Sequence, residues 1–137
     1  MYPQMIFLCF VFFYDVWFYC IHRLLHIPHI YKHFHYQHHV IKHPRWQDTF
    51  VASTIENSLS GLGLLVPLLW VDLNISFFWA WLFCACRGIA RHDPRCSYIV
   101  GNHHLHHHLY PNTNFSAYYI DWICDTEIKS LPIESEL

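Results

Sequence analysis

Histidines in this chain are concentrated in short clusters whose spacing limits how the chain can fold. Nine of the 14 histidines form three clusters and one isolated site. The clusters read H-x-x-x-H at residues 22–26, H-x-x-H-H at 35–39 and H-x-x-H-H again at 104–108, and the isolated residue is His92. Helical residues three or four apart lie on one face, so each cluster can present two or three imidazoles to a metal ion. Together the clusters exceed the needs of one four-coordinate zinc ion and favour two metal ions held side by side.

The predicted metal ligands are the nine histidines of this pattern: His22, His26, His35, His38, His39, His92, His104, His107 and His108. His103 is a candidate additional ligand, because it lies four residues before His107. We interpret His29, His33 and His43 as solvated or headgroup-facing side chains. His106 is interpreted as a spectator, because it points away from the His104 face. Residues 22–39 should be helical at both ends, with a break or kink at Pro28.

Carboxylates are scarce beside these clusters. Soluble di-iron bundles use Glu-x-x-His ligands, and no such motif occurs here. Asp15 lies two helical turns before His22 within an apolar stretch, where an ionisable residue is usually functional. We predict that it accepts a hydrogen bond from an imidazole N–H, and the alternative is a carboxylate that snorkels or pairs helices. Glu56 has the same two interpretations.

Long apolar stretches without Lys or Arg predict a membrane protein. Apolar residues make up 54% of the chain and charged residues 13%, against roughly 25% charged in an average soluble domain. Residues 1–22 are long enough to span a bilayer core of about 30 Å. Residues 46–86 are interrupted by Pro67, Asp72 and Asn74, which favours a helical hairpin. A cleaved signal peptide is disfavoured, because the first stretch lacks a basic start and a small-residue cleavage site.

The eight Lys and Arg residues all follow one or the other apolar stretch. They lie on one side if the first stretch crosses once and the hairpin returns, and the positive-inside rule makes that side cytosolic. The histidines are on the same side. No basic run indicates a nucleic-acid partner.

The predicted fold is therefore all-α, with one domain at residues 1–137. A membrane helix at 1–21 precedes the first two histidine motifs at 22–45. A membrane hairpin at 54–86 follows, and residues 87–130 carry His92 and the closing motif. The histidine-rich segments would form a cytosolic helical cap holding a dinuclear metal site, and the tail after Leu131 should be disordered.

These motifs, in this order, resemble the fatty acid hydroxylase and sterol desaturase superfamily of membrane di-iron oxygenases. The resemblance lies in DVWFYCIHRLLH at 15–26, YKHFHYQHH at 31–39, His92, and GNHHLHHHLYPNTNFSAYYIDWICDTE at 101–127. Glu56 with Gly61 and Gly63 resembles sterol C4-methyl oxidases, while HHLYPNTNF is closer to sterol C5-desaturases. The departures are Ser53-Thr54 in place of His-Pro, Phe115 in place of tyrosine, an inverted Asp121-Trp122, Cys124-Asp125 where Phe-Gly is usual, and Gly88 where some members carry another histidine.

The resemblance implies two iron ions, which zinc can replace in overexpressed protein, and O2-dependent hydroxylation or desaturation of a membrane lipid, either a sterol or a fatty acyl chain. Electrons would come from NAD(P)H through cytochrome b5 or a ferredoxin with its reductase. The location would be the endoplasmic reticulum or a bacterial inner membrane. Family members have further membrane helices before the position of Asp15, so we expect an oligomer or a partner subunit to supply them. Two alternatives stay open: a catalytically degenerate member, and a metal-binding membrane protein without oxygen chemistry.

Overall fold

A computed structural model describes residues 2–129, and every regular element in that range is a helix. The α-helices are α1 (Pro3–Leu25), α2 (Pro28–Ile30), α3 (Tyr36–His39), α4 (Thr54–Gly61), α5 (Ile75–Arg91), α6 (Ser97–Val100), α7 (His103–Leu109) and α8 (Tyr118–Ile123). A π-helical turn, Tyr31–His35, joins α2 to α3, and 3-10 segments occupy Trp46–Phe50, Leu62–Leu69 and Pro94–Cys96. The prediction of an all-helical chain is confirmed. The predicted disordered tail after Leu131 lies outside the described residues.

Helix α1 is the longest element, with 23 residues. Pro3 occupies its first turn, where a missing amide hydrogen does no harm. Across residues 2–129, α1 alone combines the length and the apolar composition that crossing a bilayer requires, and the apolar helical stretch Thr54–Leu69 is shorter. The crossing itself remains a prediction from the sequence.

The turn predicted at the interruption marked by Pro67, Asp72 and Asn74 lies around Asp72 and Asn74. Pro67 does not mark the turn and sits inside the 3-10 segment Leu62–Leu69. Proline has no amide hydrogen to continue α-helical bonding. The α-helical geometry of α4 has already ended at Gly61, and the 3-10 segment begins at Leu62. The chain reverses at residues 70–74, and the Asn74 side chain caps α5 by accepting a hydrogen bond from Ser76 N at 2.9 Å.

Helix α1 packs against the segment Leu62–Leu69 and against α5. Phe10, Leu64, Ala80 and Cys84 are buried in the core between these three elements. Helix α1 and the segment Leu62–Leu69 approach closely at Gly63, where an added Cβ would lie 2.8 Å from Cβ of Trp17. A side chain at position 63 would therefore push the hairpin away from α1.

A second, smaller core joins the end of the chain to α1. Tyr19 of α1 packs with Phe115, Ala117 and Ile120, which precede or belong to α8. The Ser116 hydroxyl also donates a hydrogen bond to the backbone oxygen of Asp15 at 2.9 Å. These contacts hold the closing histidine cluster on α7 beside the last turns of α1.

Candidate metal centre

The first two histidine motifs meet where α1 ends. His22 lies in the last turns of α1, and His26 is the C-cap residue. The break predicted at Pro28 is confirmed, because α1 ends at Leu25 and α2 begins at Pro28. The chain then widens into the π turn and continues as α3, which leaves His35, His38 and His39 buried. π-helical turns are frequent at functional sites, and no feature of the spacing had indicated this one.

All nine predicted ligands lie in two neighbouring groups. The first group is His22, His26, His35, His39 and His107, and the second is His38, His92, His104 and His108. Within each group, one nitrogen from every imidazole lies within 4.8 Å of the others. Eight of the nine rings are buried, and His26 is half-buried. The structure thus assembles two sets of donor atoms large enough for one metal ion each.

Each H-x-x-H-H motif contributes to both groups. In the motif at 35–39, His35 and His39 belong to the first group and the middle histidine, His38, to the second. In the motif at 104–108 the assignment is reversed, with His107 alone in the first group. A helix turns about 100° per residue. The first and last histidines of the motif, four residues apart, therefore share a face, whereas the middle histidine is displaced from the last by about 100°. Helices α3 and α7 consequently each contribute histidines to both groups.

The hydrogen bonds of the rings fix which nitrogen carries the proton. Nδ1 of His22 donates to the Phe115 carbonyl, and Nδ1 of His35 contacts Glu56 Oε1 at 2.8 Å. The carbonyl requires a proton on Nδ1 of His22. Burial raises the pKa of Glu56 to about 8, and Glu56 requires a proton on Nδ1 of His35 when it is ionised. Nε2 of both neutral rings then bears a lone pair. The two Nε2 atoms nevertheless lie only 3.1 Å apart. Two ligands about 2.1 Å from one metal ion and at right angles to each other have about this separation. Converging lone pairs are the arrangement that a cation stabilises.

Further nitrogen atoms in the groups have no partner within residues 2–129. His107 and His108 donate from Nδ1 to the carbonyls of Thr113 and Ile41, at 2.6 and 3.0 Å. Their Nε2 atoms are buried and unbonded within that range. Buried polar atoms normally find partners, so these two lone pairs fit a metal ligand in each group.

Burial keeps the imidazoles neutral. Burial, together with the neighbouring imidazoles, lowers the pKa of His38 to about 3 and the pKa of His39 to about 2. Burial likewise lowers the pKa of His108 to about 4. Neutral imidazole is the form that binds metals. The site therefore holds its donors in the competent state at pH 7.

The remaining histidines lie outside both groups. His103, the candidate additional ligand, pairs through Nε2 with Asp121 Oδ2 at 3.0 Å. His29, His33 and His43 are exposed and His106 is half-buried, in keeping with the roles expected for them.

The two carboxylates selected from the sequence have different positions. Glu56 contacts His35, as expected for a partner of an imidazole N–H. Within residues 2–129, the Asp15 carboxylate accepts no hydrogen bond from an imidazole, contrary to the prediction. It accepts hydrogen bonds from both terminal nitrogens of Arg87 and from the Tyr119 hydroxyl. Seven residues of helix separate Asp15 from His22 by about 10 Å along the axis, whereas Arg87 of α5 lies directly alongside.

Asp121 is a residue that the sequence reasoning did not select. Its carboxylate is fully buried and accepts hydrogen bonds from the backbone N–H of Phe115 and Ser116, from Thr126 Oγ1 and from His103. The Phe115 carbonyl in turn orients His22. An acidic residue within the apolar run AYYIDWI was the available signal.

A cavity of 620 Å³ lies against the metal centre. His38, His92 and His104 of the second group contact it, but only His22 of the first. Its other walls are mostly apolar and come from α1, the hairpin and α5. A cavity of this size and lining suits a small molecule with an apolar body.

These features define a histidine-rich helical protein with two adjacent groups of potential metal ligands beside an apolar cavity. The fatty acid hydroxylase family matches residues 7–126, and the chain belongs to that family. The resemblance seen in the motifs is therefore confirmed. No solved structure gives a significant match.

Curated relatives are sterol oxidases. Methylsterol monooxygenase 1 of Gallus gallus is 33% identical over 70 residues, which cover 51% of this chain and 24% of the relative. Methylsterol monooxygenase 1 of Rattus norvegicus is 26% identical over 121 residues, covering 79% and 41%. C-4 methylsterol oxidase erg25 of Schizosaccharomyces pombe is 31% identical over 129 residues, covering 82% and 43%. The chain thus spans less than half the length of each of these relatives.

Proposed function

We propose that the protein is an O2-dependent di-iron oxidoreductase that hydroxylates or desaturates a membrane lipid. The observation that carries the proposal is the pair of histidine groups, with converging nitrogen lone pairs, at the wall of an apolar cavity. Five imidazoles would hold one iron ion and four the other. The iron pair supplies oxidation of an unactivated C–H bond with O2.

The chain's own residues place the substrate and keep the ligands in position. Phe18, Phe77 and Trp81 line the cavity, so they would exclude water and hold the apolar body of a lipid. The carbon to be oxidised would lie beside the second group, because three of its histidines face the cavity. Glu56 and five backbone carbonyls hold the Nδ1 protons of six rings and leave each Nε2 directed at the centre.

A sterol is the substrate that we favour. The support is the family membership and the names of the three relatives described above, which are a C-4 methylsterol oxidase and two methylsterol monooxygenases. A fatty acyl chain is the other substrate consistent with the family's description. We propose cytochrome b5 or a ferredoxin, with an NAD(P)H reductase, as the electron donor. We also propose a second copy or a partner subunit as a binding partner within the membrane.

We also propose that the protein is integral to the endoplasmic reticulum or a bacterial inner membrane, with the histidines facing the cytosol. Large apolar side chains on α1 and on the hairpin are exposed, and these support contact with lipid: Met5, Leu8, Phe12, Leu65, Leu69, Trp70, Phe78, Trp79 and Leu82.

The test combines metal analysis with product analysis. Detergent-purified full chain is assayed for iron and zinc, then incubated in vesicles with a 4-methylsterol or a fatty acyl lipid, 18O2, cytochrome b5, its reductase and NADH. We expect about two iron ions per chain and an oxygenated or dehydrogenated lipid by mass spectrometry. Two bound metal ions without any product would favour the degenerate or purely metal-binding alternatives. Well below two metals per folded chain would refute the dinuclear site.

A further inference from the structure

Two arginines of α5 line the cavity one helical turn apart, and they differ in their partners. Arg87 donates to both carboxylate oxygens of Asp15. Arg91 also contacts the cavity and is half-buried. No hydrogen bond or ion pair to its side chain forms within residues 2–129, and the charged groups that act on it there are Arg87 and Asp15. One of the two guanidinium groups is therefore uncompensated.

The carboxylates near the cavity, Asp15 and Glu56, are both engaged by groups other than Arg91. Asp15 pairs with Arg87, and Glu56 contacts His35. A guanidinium stays protonated in a protein, and a buried charge without a partner is unfavourable. A ligand with one negative charge would remove that penalty.

We propose that Arg91 binds the carboxylate of an amphipathic lipid acid whose apolar body fills the cavity. The inference rests on the proposed function only in taking the cavity as a lipid site. A guanidinium presents two parallel N–H donors that match a carboxylate. Phe77, Phe78 and Trp81 supply the apolar walls for the rest of the molecule. A phosphomonoester, with a charge of about −1.5 to −2 at pH 7, would leave negative charge unbalanced.

Arg91 directly precedes His92, a member of the second histidine group, and both residues line the cavity. The carboxylate would consequently be held at the end of the cavity that faces the histidines. The same chemistry is offered by a long-chain fatty acid and by a carboxylated sterol, and the binding experiment separates these two sources.

Binding is measured on the full chain in nanodiscs of neutral phospholipid, with empty nanodiscs as background. The probes are radiolabelled palmitate and a radiolabelled steroid carboxylic acid, each compared with its methyl ester, without O2 or an electron donor. The variants are Arg91→Gln and Arg91→Lys. Arg95→Gln is the matched control, because Arg95 is exposed and paired with Asp93.

In the wild type we expect an acid to bind about 10- to 100-fold more tightly than its ester, the range of one charge-assisted hydrogen-bonded pair. Arg91→Gln should bind acid and ester alike, Arg91→Lys should keep part of the preference, and Arg95→Gln should keep all of it. The acid that shows the preference identifies the source.

Equal binding of acid and ester by the wild type overturns the proposal, whatever the variants do. A preference that persists in Arg91→Gln also overturns it, as does a preference abolished by adding phosphatidylglycerol to the nanodisc, which would assign Arg91 to a lipid headgroup. A protein that binds the acids with this preference but oxidises no lipid would refute the proposed function and leave the Arg91 site intact.

Discussion

The carboxylate of Glu56 lies 2.8 Å from Nδ1 of His35, and Nε2 of the same ring lies 3.0–3.1 Å from Nε2 of three other histidines. His35 is therefore the central ring of the first group. When Glu56 is ionised it holds the proton of this ring on Nδ1, and the carboxylate then determines which nitrogen the ring presents.

Removing that carboxylate should weaken metal binding without destroying the site. We expect Glu56→Ala to lower the metal affinity of the first group about 10- to 100-fold, the usual effect of losing a partner of a metal-binding histidine. Glu56→Gln should lose less, since its amide oxygen can still accept from Nδ1. Chelator competition measures the affinities, and Asp72→Asn in the exposed turn is the control. Glu56→Ala with wild-type affinity would refute the role of this contact.

Ligand and non-ligand histidines should separate sharply on substitution. His38→Ala and His107→Ala each remove a middle histidine of an H-x-x-H-H motif, from the second and first group respectively. We expect both to lose activity and at least one metal ion per chain. His29→Ala and His106→Ala should be mild, and both are matched controls for the loss of an imidazole. If His106→Ala were as damaging as His107→Ala in metal content and product yield, our assignment of the closing cluster would be wrong.

The contact between the hairpin and α1 should be sensitive to one methyl group. At Gly63 an added Cβ would lie 2.8 Å from Cβ of Trp17 and 2.9 Å from two of its ring atoms. We expect Gly63→Ala to lower the free energy of unfolding by about 1–3 kcal/mol, as overpacking does. Gly61→Ala is the control, because nothing lies within 4 Å of its added Cβ, and it should change stability by about 0.5 kcal/mol or less. Thermal unfolding in detergent compares the two, and equal melting temperatures would contradict the prediction.

Acidification should destabilise the metal-free protein. Burial lowers the pKa of His38 to about 3 and the pKa of His108 to about 4 in the folded state, while unfolded histidines titrate near about 6.5. The unfolded chain therefore binds more protons below about pH 6.5, and the stability present above that pH is lost as the pH falls towards 4. We expect the melting temperature of chelator-treated protein to drop between pH 7.5 and 5. A melting temperature independent of pH over this range would argue against buried neutral rings.

The charge distribution predicts that the segments carrying the histidines and the C-terminus face the cytosol. A tag placed after Leu137 should be digested by protease added to the cytosolic side of sealed vesicles. A tag before Met1 should be protected, and it serves as the internal control. Accessibility of the C-terminal tag from the opposite face alone would reverse the topology.

Features that depend on residues close together in the sequence could be predicted from it. The i, i+4 pair His22 and His26 and the break at Pro28 follow from helix geometry and the missing amide hydrogen of proline. Contacts between distant segments could not be predicted in the same way. Arg87 meets Asp15 across 72 positions and orients it away from the histidines. The assignment of His38 and His107 to opposite groups depends on how α3 and α7 face each other, which local spacing does not encode.

Because α3 and α7 each contribute to both histidine groups, two metal ions bound there would not be loaded as independent events. An ion in the first group would join His35 and His39 of one motif to His107 of the other, and this fixes the relative position of the same two motifs that carry His38, His104 and His108. The second ion would then bind to donors whose conformational freedom has already been lost, so its affinity is raised by the first. Occupancy should accordingly rise steeply with free metal, and chains holding a single ion should be rare at every concentration.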